Sequence, residues 1–213
     1  MNNKIKAVIF DLDGVIVSTD DLHYQAWNYM AMKHQIYFDK TINHRLRGVS
    51  RMESLEIILE RSNKIFSEEE KNDLAKEKNE YYIQLLKTLS PKDILPNVDL
   101  VIKRLKDKGI KVAIGSSSKN ALNILKQIKR DQSFDAVADG NDITHSKPDP
   151  EVFLVAAKKL NVEPEACMVI EDAQAGIVAA KNASMVAVAI SDAKLSGLSD
   201  YKIDDLIELL QLV

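Results

Sequence analysis

Two pairs of carboxylates mark where this chain could do chemistry. Asp11 and Asp13, in Asp11-Leu12-Asp13-Gly14-Val15, follow an apolar run, and alternation along an extended chain puts both on one side. Glu171 and Asp172 follow a second run, Met168-Val169-Ile170, ahead of a helix beginning near Ala173. Carboxylates gathered this way repel one another unless a cation or a shared proton intervenes. Mg²⁺ suits them, because it takes a few carboxylate oxygens and keeps waters for a phosphate ligand. Taken singly, either pair reads equally well as a polar turn or a helix cap.

Two further stretches supply groups for an anion. Ser116-Ser117-Ser118-Lys119-Asn120 lies between a strand-like run and a helix beginning near Ala121, where hydroxyls and free N–H groups hold phosphate. In Lys147-Pro148-Asp149-Pro150 the prolines stiffen the loop and aim the Lys147 ammonium, which suits a phosphoryl group in transfer. A capped serine loop and a surface lysine are the plainer readings of each. The ordered set, every member at a strand end, argues for the chemistry.

The elements that must position these groups alternate along the chain. Strand-like runs open the sequence at Ile5 to Phe10 and recur at 110–115, 134–138, Cys167–Glu171 and 185–190, with amphipathic stretches such as 98–108 and 150–160 between them. That alternation predicts an α/β fold, a doubly wound parallel sheet with helices on both faces. It is interrupted once. Between about Thr19 and Ser90 nothing resembles a strand; Asp20, Ser50 with Glu53, and Ser67 with Glu70 predict helix starts. An inserted all-helical cap is expected at 18–92, on a core of 1–17 and 93–213, with linkers near 17–19 and 90–96 forming a hinge. The apolar stripes expected to bury are Leu22, Ala26, Trp27 and Met30, then Leu55, Ile58 and Leu59, then Leu74, Tyr81, Leu85 and Leu86.

Composition sets the outer bounds. The 213 residues are 46% hydrophobic and 29% charged, enough for a sizeable core. No run approaches a membrane span, and MNNKIKAVIF shows no leader-like apolar region. Twenty-nine basic against thirty-two acidic residues, a net charge of −3, give no reason to expect nucleic acid or an anionic membrane. The single cysteine, Cys167, excludes an internal disulfide. A cytoplasmic monomer acting on a small molecule is the expectation.

On the four motifs together, the sequence resembles the haloacid dehalogenase superfamily of phosphotransferases over nearly its whole length. The resemblance implies that Asp11 is the nucleophile that becomes an aspartyl-phosphate and Asp13 the general acid and base. It also implies that Ser116 and Lys147 hold the transferring phosphoryl group. Asp11, the main-chain carbonyl of Asp13, Glu171 and Asp172 would ligate Mg²⁺.

The cap must choose the substrate. Arg47-Gly48-Val49-Ser50-Arg51 leads into a helix with Ser54 in its first turn, and an arginine with free N–H groups there makes a second phosphate site. A helix start disfavours a cation, so a bound anion would account for Arg51. His23 and Trp27 are one turn apart and share a face; His23 could relay a proton to Asp13, and Trp27 could wall a sugar ring or sit in the helical core. Lys78-Asn79 could reach the same cleft, though a solvated face is the ordinary place for a lysine. His34, His44 and His145 are read as surface residues.

Thr19-x-x-x-His23, the 47–51 stretch, Lys78-Asn79 and the 116–120 loop resemble the beta-phosphoglucomutase subfamily. That implies interconversion of beta-D-glucose 1-phosphate and 6-phosphate through beta-D-glucose 1,6-bisphosphate. Arg51, Ser118 and Asn120 would grip the phosphate not in transfer while the cap closes at Thr19. Arg47 stands where the family commonly has lysine, Ser117 where it has alanine, and Ser184 where it turns with glycine. A small-sugar phosphatase of the same fold is the alternative; a receiver-like phospho-accepting module, which needs no large helical insertion, is the third reading.

Overall fold

The computed structural model describes residues 5–62 and 64–213, so the first four residues of the opening run lie outside it. Strand β1 (Ala7–Phe10) is fully buried, as a near-continuous apolar run in a parallel sheet must be. The helical insertion follows: α1 (Asp20–Lys33), α2 (Lys40–His44), α3 (Arg51–Leu59) and α4 (Glu68–Leu86). The chain then alternates through α5 (Val98–Asp107), β2 (Lys111–Gly115), α6 (Ala121–Gln127), β3 (Ala136–Ala138), α7 (Glu151–Leu160), β4 (Cys167–Glu171), α8 (Gln174–Asn182) and β5 (Val186–Ala189). A two-residue strand, β6 (Tyr201–Lys202), ends the sheet; it is too short to leave a pattern in the sequence.

All strand pairs are parallel, in the order β3-β2-β1-β4-β5-β6. Register does the positioning. Phe10 lies opposite both Ile114 and Ile170, so the next residues along, Asp11, Gly115 and Glu171, emerge side by side at one edge. Alternate residues feed two apolar layers. Val8, Phe10, Val112 and Ile114 pack in one with α5 and α6, while Ala7, Ile9, Ala113 and Val169 pack in the other with α7 and α8. Between α8 and β5 Ser184 takes φ 59, the left-handed conformation that favours glycine. That turn enters the sheet at the edge opposite Asp11.

The cap has its own apolar cluster of Trp27, Met30, Ile42, Leu55, Ile58, Leu74 and Ala75. Both expected capping boxes form, Ser50 with Glu53 and Ser67 with Glu70. Two details differ from the sequence reading. Helix α1 begins at Asp20 with Thr19, not Asp20, in the capping position, and the Thr19 side chain makes no cap bond. On α4 the stripe turns by one residue, burying Tyr82 rather than Tyr81, because Tyr82 has a hydrogen-bond partner at the base of the cap.

Candidate active site

The three level strand ends bring the acidic pairs together. One oxygen each of Asp11, Glu171 and Asp172 lies within 4.8 Å of the others. Into this cluster comes Lys147, which is 2% exposed. Its Nζ donates to Asp11 Oδ1 at 2.5 Å, to Glu171 Oε1 at 2.5 Å and to the Gly115 carbonyl at 3.0 Å. Burial opposes that charge, but Asp11 and Glu171 outweigh it and hold the ammonium above its ordinary range. One ammonium cannot balance three carboxylates. The excess falls on Asp172, pushed up to about 9 by burial and by Glu171, Asp11 and Asp13. Two glycines permit the crowding: a Cβ on Gly14 would sit 2.1 Å from Asp172 Oδ2, and one on Gly176 1.9 Å from the Glu171 carboxyl. Three oxygens this near, short of positive charge, fit a hard divalent cation.

Asp13 is held apart from this cluster. Gly14 turns the chain at φ 84, Gly14 N–H donates to Val17 O at 2.8 Å, and Thr19 returns to the start of the loop. There Thr19 donates twice to the Asp13 carboxylate, from its N–H and from its hydroxyl, each at 2.6 Å. Tyr82 in turn donates to Thr19 Oγ1 at 3.0 Å. Burial outweighs the Thr19 bonds and pushes Asp13 up to about 7, where a carboxyl can both hold and release a proton.

The cap supplies the opposite wall. Lys78, 2% exposed, is buried rather than solvated. Its Nζ lies 2.9 Å from His23 Nδ1 and over the rings of Trp27 (4.7 Å) and Tyr82 (4.5 Å). Burial drives both bases below their ordinary values; Arg51 adds to it for Lys78, and Lys78 and Arg51 for His23. Arg51, at the first position of α3, is partly buried and lowered by that burial. Among the described residues no carboxylate pairs with it. Ser54 is buried a turn further on. Arg47 behaves differently: its guanidinium pairs with Asp20 and, at 2.6 Å, with Asp192. Arg47, expected at the substrate, lines the cleft with its guanidinium on these two carboxylates.

In the serine loop Ser116 Oγ accepts from Ser118 N–H and Ser118 Oγ from Asn120 N–H, each at 3.2 Å. Ser117 Oγ is buried without a partner among the described residues. Lys119 is exposed. The Asn120 amide donates to Asn79 Oδ1 at 2.9 Å, joining core to cap. A cleft of about 1090 Å³ unites these groups. Every site residue selected from sequence lines it, Gly48, Val49 and Ser50 included, except Thr19, which stands behind Asp13. His145 lines it too; His34 and His44 do not.

Comparison with known proteins agrees with this geometry. The family model for haloacid dehalogenase-like hydrolases matches residues 5–184. The chain belongs to that family. Beta-phosphoglucomutase of Bacillus subtilis is 44% identical over 188 residues, 87% of this chain and 83% of that protein. A phosphorylated carbohydrates phosphatase of Thermotoga maritima is 33% identical over 85% of this chain and 82% of its own. The crystal structure of a beta-phosphoglucomutase from Clostridium difficile superposes with a TM-score of 0.90 at 43% identity, covering 96% of this chain and 93% of that one. As a haloacid dehalogenase-like enzyme with a helical cap, the protein is no receiver module. No helix among the described residues is long and apolar enough to cross a membrane.

Some residues that serve this family member's site were not singled out from sequence. Tyr82, which fixes Thr19, lies one helical turn after Lys78, and that spacing was the available signal. Asp20 was read only as a cap, and Asp192 and Gly176 are single residues whose importance comes from what approaches them across the fold.

Proposed function

We propose that this enzyme is a beta-phosphoglucomutase, interconverting beta-D-glucose 1-phosphate and beta-D-glucose 6-phosphate through beta-D-glucose 1,6-bisphosphate. The observation that carries the reading is Arg51, a partly buried guanidinium with no carboxylate partner among the described residues, lining the same cleft as the Asp11 cluster. A cleft with a second cationic site suits a substrate with two phosphates; hydrolysis of a monophosphate needs one. The 44% identical relative of that name supports it.

In this reading Asp11 attacks phosphorus, the bond from phosphorus to the sugar oxygen breaks, and Asp13 gives its proton to that oxygen. On the 1-phosphate of beta-D-glucose 1,6-bisphosphate that step releases beta-D-glucose 6-phosphate, and an incoming beta-D-glucose 1-phosphate then presents its 6-hydroxyl to remake the bisphosphate. Asp13 takes that proton as the oxygen attacks the aspartyl-phosphate, and Asp11 is freed. Lys147 and Ser116 hold the phosphoryl oxygens; Arg51, Ser118 and Asn120 hold the other phosphate, and His23, Trp27 and Lys78 face the sugar. Asp11, Glu171, Asp172 and the Asp13 carbonyl would hold Mg²⁺, which when bound shields the charge of the phosphoryl group. Thr19, held by Tyr82, keeps Asp13 in place.

The cap, taken as 18–92, closes on the core of 1–17 and 93–213 to exclude water, and the enzyme works as a cytoplasmic monomer. Incubation with beta-D-glucose 1-phosphate, Mg²⁺ and a trace of the bisphosphate tests the proposal. Glucose 6-phosphate should accumulate well ahead of free phosphate. Free phosphate and glucose as the main products would make the protein a phosphatase instead.

A further inference from the structure

Arg47 joins three parts of the molecule. It precedes α3 in the cap, and its guanidinium bridges Asp20, in the first turn of α1, to Asp192, on the turn after β5. Both carboxylates are tied to catalytic groups through the main chain. Asp20 follows Thr19, the residue that holds Asp13. The turn carrying Asp192 is bonded to the acidic cluster on either side, Ile190 N–H to the Glu171 carbonyl at 2.9 Å and Ala193 N–H to the Asp172 carbonyl at 2.8 Å. Gly48 follows Arg47, and a Cβ there would lie 2.9 Å from that of Ala173, so the backbone meets the core closely at this point.

We infer that Arg47, Asp20 and Asp192 form an ionic clasp that holds the cap on the core, and that Arg47 is a positioning residue controlling water's access to the phosphorylated enzyme. The inference rests on the mutase reading for its consequence, though not for the clasp itself. The three side chains are 37%, 38% and 49% exposed, so the pairs are weak singly and screened by salt. That suits a contact that must open in every turnover. His44 Nε2 also faces Asp192, at 3.7 Å. Arg45, two residues before Arg47, pairs among the described residues only with Glu60 inside the cap and serves as the control.

The test compares wild type, Arg47→Gln, Asp192→Asn, the double variant and Arg45→Gln. Closure is read by small-angle scattering without substrate. Partition is read as free phosphate over glucose 6-phosphate, at about 0.05 M and about 1 M KCl. Both single variants should expand the particle and raise the phosphate ratio about three- to tenfold at low salt. The double variant should add little, high salt should bring wild type toward the variants, and Arg45→Gln should match wild type. Arg47→Lys, which reaches one carboxylate at a time, should restore part of the effect. Unchanged scattering and partition in Asp192→Asn would overturn the inference. So would a rise in KM of Arg47→Gln alone with partition unchanged, since Arg47 would then be a substrate contact. A wild type that releases only phosphate would defeat the mutase reading, while the scattering arm would still decide the clasp.

Discussion

Replacing Arg51 by alanine separates the two activities open to this cleft. A guanidinium holding a phosphate makes two charge-assisted bonds, and a hydrogen bond to a charged group contributes about 1.5–3 kcal/mol. Arg51 is partly buried and has no carboxylate among the described residues to compete for it, while water competes in the open cleft. A net loss of about 2–3 kcal/mol follows, and at about 1.4 kcal/mol per factor of ten that is roughly thirty- to a hundred-and-fifty-fold in kcat/KM. The fold should not suffer, since a cation at the first position of α3 opposes the helix dipole and its removal relieves that. The assay is the initial rate of glucose 6-phosphate formation with bisphosphate present, set beside hydrolysis of p-nitrophenyl phosphate, which has no second phosphate. The first should fall by the stated factor and the second change by less than about threefold. Equal losses, or no loss in either, would refute the reasoning.

Other perturbations test separate parts of the site. Lys78→Met removes a buried base whose charge burial disfavours, so it should raise the melting temperature at pH 7. Because the folded-state value of Lys78 lies below its unfolded 10.5, the unfolded chain binds the extra proton between the two, and wild-type stability rises with pH there. The gap between variant and wild type should therefore narrow in melts from pH 6 to 9; a constant gap would contradict this. Gly176→Ala should weaken Mg²⁺ binding at least about tenfold by titration calorimetry, because its Cβ meets the Glu171 carboxyl, although alanine in a helix is otherwise stabilising by about 1 kcal/mol. Unaltered Mg²⁺ affinity would show that Glu171 has room to move. Asp172→Asn should raise the melting temperature in excess chelator, where one unbalanced carboxylate is gone, and abolish the further rise that Mg²⁺ gives wild type. A lower melting temperature in chelator would mean that the cluster is balanced without a metal.

Much of the fold was legible because its signals are local. Apolar runs without alternation gave β1, β2 and β4, and the Ser-x-x-Glu boxes located α3 and α4. The carboxylate pairs, Lys147 and the serine loop were legible as a site because strand ends in a parallel sheet meet at one edge. What escaped depends on contacts between distant residues. Nothing near Lys78 announces burial in a helix rich in charge; its place is set by His23, Trp27 and Tyr82 closing around it. Arg47 carries no local mark distinguishing a phosphate ligand from a partner of Asp192, 145 residues away. Strand β6 is two residues long and α2 five, below the length at which periodicity can be recognised.

Lys147 touches both Asp11 and Glu171 from a position closed to solvent. A built-in counter-ion of this kind offsets part of the repulsion that gathers as the strand ends meet. It leaves the remainder, centred on Asp172, at the solvent side of the sheet edge where an outside cation can reach it.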